Sequence, residues 1–263
     1  SRGEKRLGEA SEMGSGREAR RAAARSFLCL WTAVTAVVLW SGAAAAQQAP
    51  AAQAASGYEE LPVYQRMEGE SREAKAMRSN VLREVRSILR GTTPLSQKQK
   101  LFDAWYNLYY FPTMTKVANL SQLDQLRREL FEDNIQDARS DEAHDHLVLN
   151  VTFPMMKKLV EGNYHPAVRY NALLVIASLN AREARTVGNR TPPEPLPQAL
   201  PYLLTTLQQP DLSDALRVAA LYGLRRHVEL DGTLPEHHPV HNKIKQQILG
   251  LMEGIASAEQ PPV

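Results

Sequence analysis

Apolar residues in the stretch HPAVRYNALLVIASLN (165–180) fall at Val168, Ala172, Leu173, Ile176 and Leu179. Spacings of three and four put them on one side of a helix. The helix starts just after a proline, where a missing N–H costs nothing, and it carries Arg169 beside the apolar stripe. The same period returns elsewhere. Residues 64–90 are charged, yet Met67, Met77, Val81, Val85 and Ile88/Leu89 recur near helical spacing. GTTPLSQKQ (91–99) interrupts them: Gly91 ends a helix, Pro94 prevents its resumption, and Ser96 is expected to cap the next. That next helix is SQKQKLFDAWYNLYYFPTMTK. NLSQLDQLRRELFEDNIQDAR follows, with Ser121 as its expected cap and Leu123, Leu126, Leu130 and Ile135 in its stripe. SDEAHDHLVLNVTFPMMKKLVEGN takes Ser140 or Asp141 as cap and is kinked or split by Pro154. No segment alternates apolar and polar residues between turn pairs, so the expected class is all-α.

The opening stretch has a second copy. HPAVRYNALLVI (165–176) aligns with SDALRVAALYGL (213–224) at an offset of 48 residues. Val168 falls over Leu216, Arg169 over Arg217, Ala172 over Ala220, Leu173 over Leu221 and Ile176 over Leu224. Each copy follows another amphipathic stretch, FPMMKKLVEGN before the first and LPYLLTTLQQPDL before the second. A helix pair repeated at this spacing is the pattern of an α-solenoid, whose units bury their apolar faces on one another.

These residues resemble HEAT repeats over about 155–230. The shared features are a helix, a turn with Asp or Pro, and a second helix that opens on a branched apolar residue and an arginine. The resemblance implies an all-α, HEAT-like α-solenoid of stacked antiparallel helix pairs over 151–258. PVHNKIKQQILGLMEGIAS (239–257) would be the first helix of a third unit or a closing cap, and 63–150 divergent helical repeats. It also implies that Arg169 and Arg217 reach acidic or carbonyl groups at the neighbouring turn, with Asp211 and Asp214 as partners of Arg169. The second helices would line a concave face. Tyr170, Asn171, Leu174, Tyr222, Arg225 and Arg226 would then be the outward positions that meet a protein or peptide partner. VGNRTPPEPLP (187–197) lengthens the period and, with its prolines, is expected as a surface loop.

The N-terminus reads differently. Basic REARRAAAR (17–25) precedes the uncharged apolar run FLCLWTAVTAVVLW (27–40) and then SGAAAAQQAP. This is the three-part pattern of a secretory signal, with cleavage expected after Ala46. The protein is then exported to a periplasmic or extracellular compartment. The competing reading is an uncleaved anchor, since 27–46 is just long enough to span a bilayer, and only in that case is a membrane partner expected. QQAPAAQAASGYEELP (47–62) reads as a flexible linker, and 259–263 as a disordered tail.

Charge narrows the partners. The chain of 263 residues carries 31 Lys/Arg against 29 Asp/Glu. Residues 1–46 hold seven of the former and four of the latter, which leaves 24 basic and 25 acidic residues beyond them. Such balance does not suit a nucleic-acid binder. The one cysteine, Cys29, lies in the apolar run, so residues 47–263 offer no disulfide, thiolate metal site or cysteine nucleophile.

Two clusters suggest chemistry. Phe102, Trp105, Tyr106, Tyr109, Tyr110 and Phe111 are six of the 17 aromatics, set within ten residues. Exposed, Trp105, Tyr106 and Tyr110 would stack on sugars or hold an apolar peptide; buried, they are a core helix. SDEAHDH supplies Asp141, Glu142, His144, Asp145 and His146, and PEHHPVH supplies Glu236, His237, His238 and His241. These are ligand types for zinc or iron in a hydrolase, but neither spacing matches a known metal motif, and solvated helix ends and a polar loop explain them better. No catalytic Ser motif or glycine-rich phosphate loop occurs. The expectation is a non-catalytic protein-binding scaffold without a cofactor.

Overall fold

The computed structural model describes residues 57–184, 191–233, 246–250 and 253–254, and these are mostly helical. The chain divides into a unit of 1–51, which lies outside the described residues together with the expected signal, and a unit of 52–263. In the second unit α1 (Arg72–Leu89) is capped by the Ser71 side chain, which accepts from the Ala74 N–H. It ends at Gly91, whose φ of +74° suits a residue without Cβ. There Thr92 N–H donates to the Ser87 carbonyl and Gly91 N–H to that of Ile88, which closes the last turn.

α2 (Leu95–Trp105), a π-helical segment (Tyr106–Tyr110) and α3 (Phe111–Thr115) form one continuous run. Its N-cap is Pro94, and Ser96 makes no cap. A 3-10 segment (Val117–Gln122) takes in Ser121, so α4 (Leu123–Glu129) also starts without the expected serine cap. α4 runs into a second π segment (Leu130–Ile135). α5 (Asp141–Asp145), capped by Ser140, continues through a third π segment (His146–Thr152) into α6 (Phe153–Glu161). This run crosses residue 150, and one hydrophobic core takes in residues from Met67 to Leu224 on both sides of it.

Two π segments end at the same dipeptide, Phe111-Pro112 and Phe153-Pro154. A proline inside a helix removes the bond to the carbonyl four residues back and crowds it. Widening the turn before it relieves the clash. The carbonyl that Pro112 cannot serve is that of Leu108, and it accepts instead from Tyr64 N–H at 2.8 Å. Residues 57–64 are thus anchored rather than a free linker. Glu59 N–H donates to the Asn163 carbonyl, Asn163 Nδ2 to that of Gly57, and Leu61 N–H to Thr115 Oγ1, all within 2.9 Å.

α7 (Pro166–Ser178) follows α6, and α8 (Ala199–Leu207) precedes α9 (Asp214–Asp231). α6 packs on α7, α8 on α9, and α7 is flanked by α4 and α9. Pro166 and Asp214, the first residues of α7 and α9, keep the 48-residue offset. Between α7 and α8 the structure departs from an all-helical reading. β1 (Asn180–Arg182) pairs antiparallel with β2 (Glu194–Pro195), and Leu196, expected in a surface loop, is fully buried. Its N–H donates to the Leu179 carbonyl at 3.0 Å, so the insertion is clamped at its base. Of 239–257, the described residues 246–250 and 253–254 are helical, and Ile248 packs partly against the core.

Candidate functional site

The arginines do not meet the acids expected for them. Arg169 Nε donates to the Val160 carbonyl at 2.8 Å, in the last turn of α6. That turn has carbonyls without helical partners, so the arginine ties the two helices of its own pair. Asp211 and Asp214 stand exposed, as does Arg217. The arginine that joins successive pairs is Arg127, which the sequence reading missed. Its Nη1 donates to Asn171 Oδ1 on α7 at 2.8 Å, and its Nη2 to Asp124. A signal for it existed. Phe111-Pro112 and Met114 align with Phe153-Pro154 and Met156 at an offset of 42, and the same offset takes Arg127 to Arg169.

Asn171 is therefore no outward position: it is 3% exposed and serves as the acceptor of that bond. Tyr170 and Leu174 are half-buried against the core. Arg226 is half-buried too, with Nη2 donating to Asn180 Oδ1, which fastens α9 to β1. Of the six expected contact residues, Tyr222 and Arg225 are exposed.

The aromatic helix is core. Phe102, Tyr106 and Phe111 are fully buried, Trp105 is 4% exposed and Tyr110 nearly buried. Tyr106 donates its hydroxyl to Asn134 Oδ1 at 2.9 Å and Tyr110 to the Leu126 carbonyl. Burial raises the pKa of both phenols. Tyr109 is covered by Trp105, ring centroids 4.8 Å apart, and by the Arg78 guanidinium 5.8 Å from its centre. A cleft of about 280 Å³ opens beside Arg78, Trp105, Tyr109, Tyr110 and Glu129, but the rings that border it spend their faces on one another. A sugar platform needs free faces.

The histidine segment forms a polar cleft of about 620 Å³ with Arg139, Asp141, Arg182 and Glu183. His144 Nδ1 lies 3.3 Å from Asp145 Oδ1, and Nε2 3.8 Å from Glu183 Oε1. Burial opposes protonation of His144, yet the two carboxylates outweigh it and hold its pKa above the usual histidine value. His146 Nε2 meets Asp103 Oδ1 at 2.7 Å. Among the described residues no three His, Cys, Asp or Glu side chains converge to hold a metal. Glu236, His237, His238 and His241 lie outside those residues. No described helix is long and apolar enough to cross a membrane.

Among the described residues, what stands open is one face of α9. Its inner face is made of Leu216, Ala219, Ala220, Gly223 and Leu224. A Cβ at Gly223 would sit 2.8 Å from Ala177 Cβ and 2.7 Å from Leu203 Cδ1, so glycine lets α9 close on α7 and α8. The outer face carries Val218, Tyr222 and Leu221, more than half exposed, with Val228 close behind. In α7 the equivalent of Leu221 is Leu173. Leu173 is fully buried, while Leu221 is 51% exposed. Arg225 likewise stands exposed, paired with Glu229 of its own helix, where Ala177 is covered by α9.

Compared with known proteins, the chain matches no family model, and no similar curated protein or solved structure was found.

Proposed function

We propose that this chain is an exported HEAT-like α-solenoid acting as a non-catalytic protein-binding scaffold, with the outer face of α9 as its docking seat. The carrying observation is the contrast between Leu173 and Leu221. Among the described residues the arc equivalent to Leu173 is bare on α9, although it carries the large apolar residues Val218 and Leu221. Two packed helix pairs, α6 with α7 and α8 with α9, support the solenoid reading, with their second helices at an offset of 48 residues. Stacks of such pairs offer extended surfaces to protein partners. Export rests on the basic, apolar and small-residue succession of 17–46. The carbohydrate reading is weaker, because the aromatic faces it needs are packed.

The test is a photo-crosslinking residue in place of Leu221 in the full chain, exposed to an envelope extract, with the crosslinked peptide identified by mass spectrometry. One defined peptide, lost when Val218→Asp is added, supports the seat. Scattered products, or products indifferent to Val218→Asp and to alanine at Tyr222 and Arg225, overturn it.

A further inference from the structure

We infer that the seat on α9 is filled by α9 of a second copy of this chain, packed antiparallel about a two-fold axis. The inference rests on the docking-seat reading above and names its occupant. Four exposed residues run down the middle of the open face: Asp214, Val218, Leu221 and Arg225. Their spacing is four, three, four, the spacing at which one helix meets another along a seam. It reads the same in both directions, as an antiparallel two-fold contact requires.

The chemistry is self-complementary in that register. With the axis level with the Ala219–Ala220 bond, Asp214 lies opposite Arg225 of the second copy, and Val218 opposite its Leu221. Each contact occurs twice. The charges that could oppose this are few. Arg225 uses Nε alone on Glu229 of its own helix, at 2.7 Å, and that pair lies at the surface. The remaining charges of the face, Arg217 and Glu229, lie at its margins. Opposite charges at matched positions fix register and partner more than they add affinity. α9 has 18 residues, a length of about 27 Å. One such seam is at the small end of specific interfaces, and a dissociation constant of about micromolar is expected.

Sedimentation velocity of the full chain across a dilution series tests this, with Arg225→Glu, Asp214→Arg and the doubly exchanged D214R/R225E. The unaltered chain is expected to dimerise. Either single reversal sets like charges opposite each other and weakens the dimer about tenfold or more, whereas the double exchange restores it to within about threefold. A chain monomeric at every concentration, or a double variant as weak as the singles, overturns self-pairing. In that event a crosslink from position 221 to a peptide of another protein leaves the docking seat standing. A crosslink to residues 234–263 of the same chain overturns both readings.

Discussion

α7 and α9 descend from one sequence pattern and end in opposite environments. Both carry an arginine at the fourth position and place small residues at Ala172 and Ala220, though only α7 has a side-chain cap, from His165. α7 is apolar nearly all round and lies between α4 and α9. α9 is apolar inside as far as Leu224, buries His227 and Asp231 beyond it, and keeps Asp214, Arg217, Arg225 and Glu229 outside, mixed with Val218, Leu221, Tyr222 and Val228. A helix apolar on every side is buried on every side. One that mixes charge with large apolar residues is built for water part of the time and for a partner the rest. The difference separates a helix covered on both sides from one with an exposed outer face.

The comparison breaks most readily at its matched leucines. Leu173→Ala is expected to cost about 3 kcal/mol in urea unfolding, and Leu221→Ala in the monomer less than about 0.5 kcal/mol. Equal losses would mean that α9 is covered. Gly223→Val comes next, because the new methyls meet Ala177, and the helices must separate. A loss of about 2 kcal/mol is expected; an unchanged midpoint would show that the two helices do not close as described.

His227 offers a pH test. It is buried on α9 at the position equivalent to Leu179, with neither ring nitrogen bonded. Burial, and then the neighbouring Arg226, push its pKa down to about 4. The unfolded chain, at the ordinary value near ~6.5, binds the proton first. Stability is therefore unaffected by this group above that value and falls as the pH drops toward 4, by about 1.4 kcal/mol per unit. His144 works the other way: its raised pKa adds stability at low pH that is lost as pH rises through its folded value. The difference between His227→Leu and the unaltered chain isolates His227. The variant should hold its unfolding midpoint from pH 7 to 5 better than the parent; parallel curves would show that His227 reaches solvent.

The smallest effect is the Arg127–Asn171 bond. A double-mutant cycle with Arg127→Met and Asn171→Ala is expected to give a coupling of about 1 kcal/mol. No coupling would detach α4 from α7 energetically.

The legibility of the chain follows the range of the forces involved. Apolar spacing of three and four showed the helices at 72–89, 166–178 and 214–231, and the 48-residue copy, because a helix face is a local property. Arg127 escaped notice because the Phe-Pro-x-Met stretch that aligns it with Arg169 lies at an offset of 42 rather than 48. The π segments were equally hidden; proline announces a disturbance but not its form.

By itself, then, the sequence determined the helical class, the turn at Gly91 and a cap at Ser140 or Asp141, each a matter of neighbours within a turn or two. Tertiary structure alone decided that Asn171 accepts from Arg127 inside the protein, that the aromatic helix is core, that residues 57–64 are tied down, and that Leu221 is bare where Leu173 is buried. Two equivalent leucines have the same local pattern. What distinguishes them is whether another helix lies across them, and burial is a property of the pair of surfaces, not of either sequence.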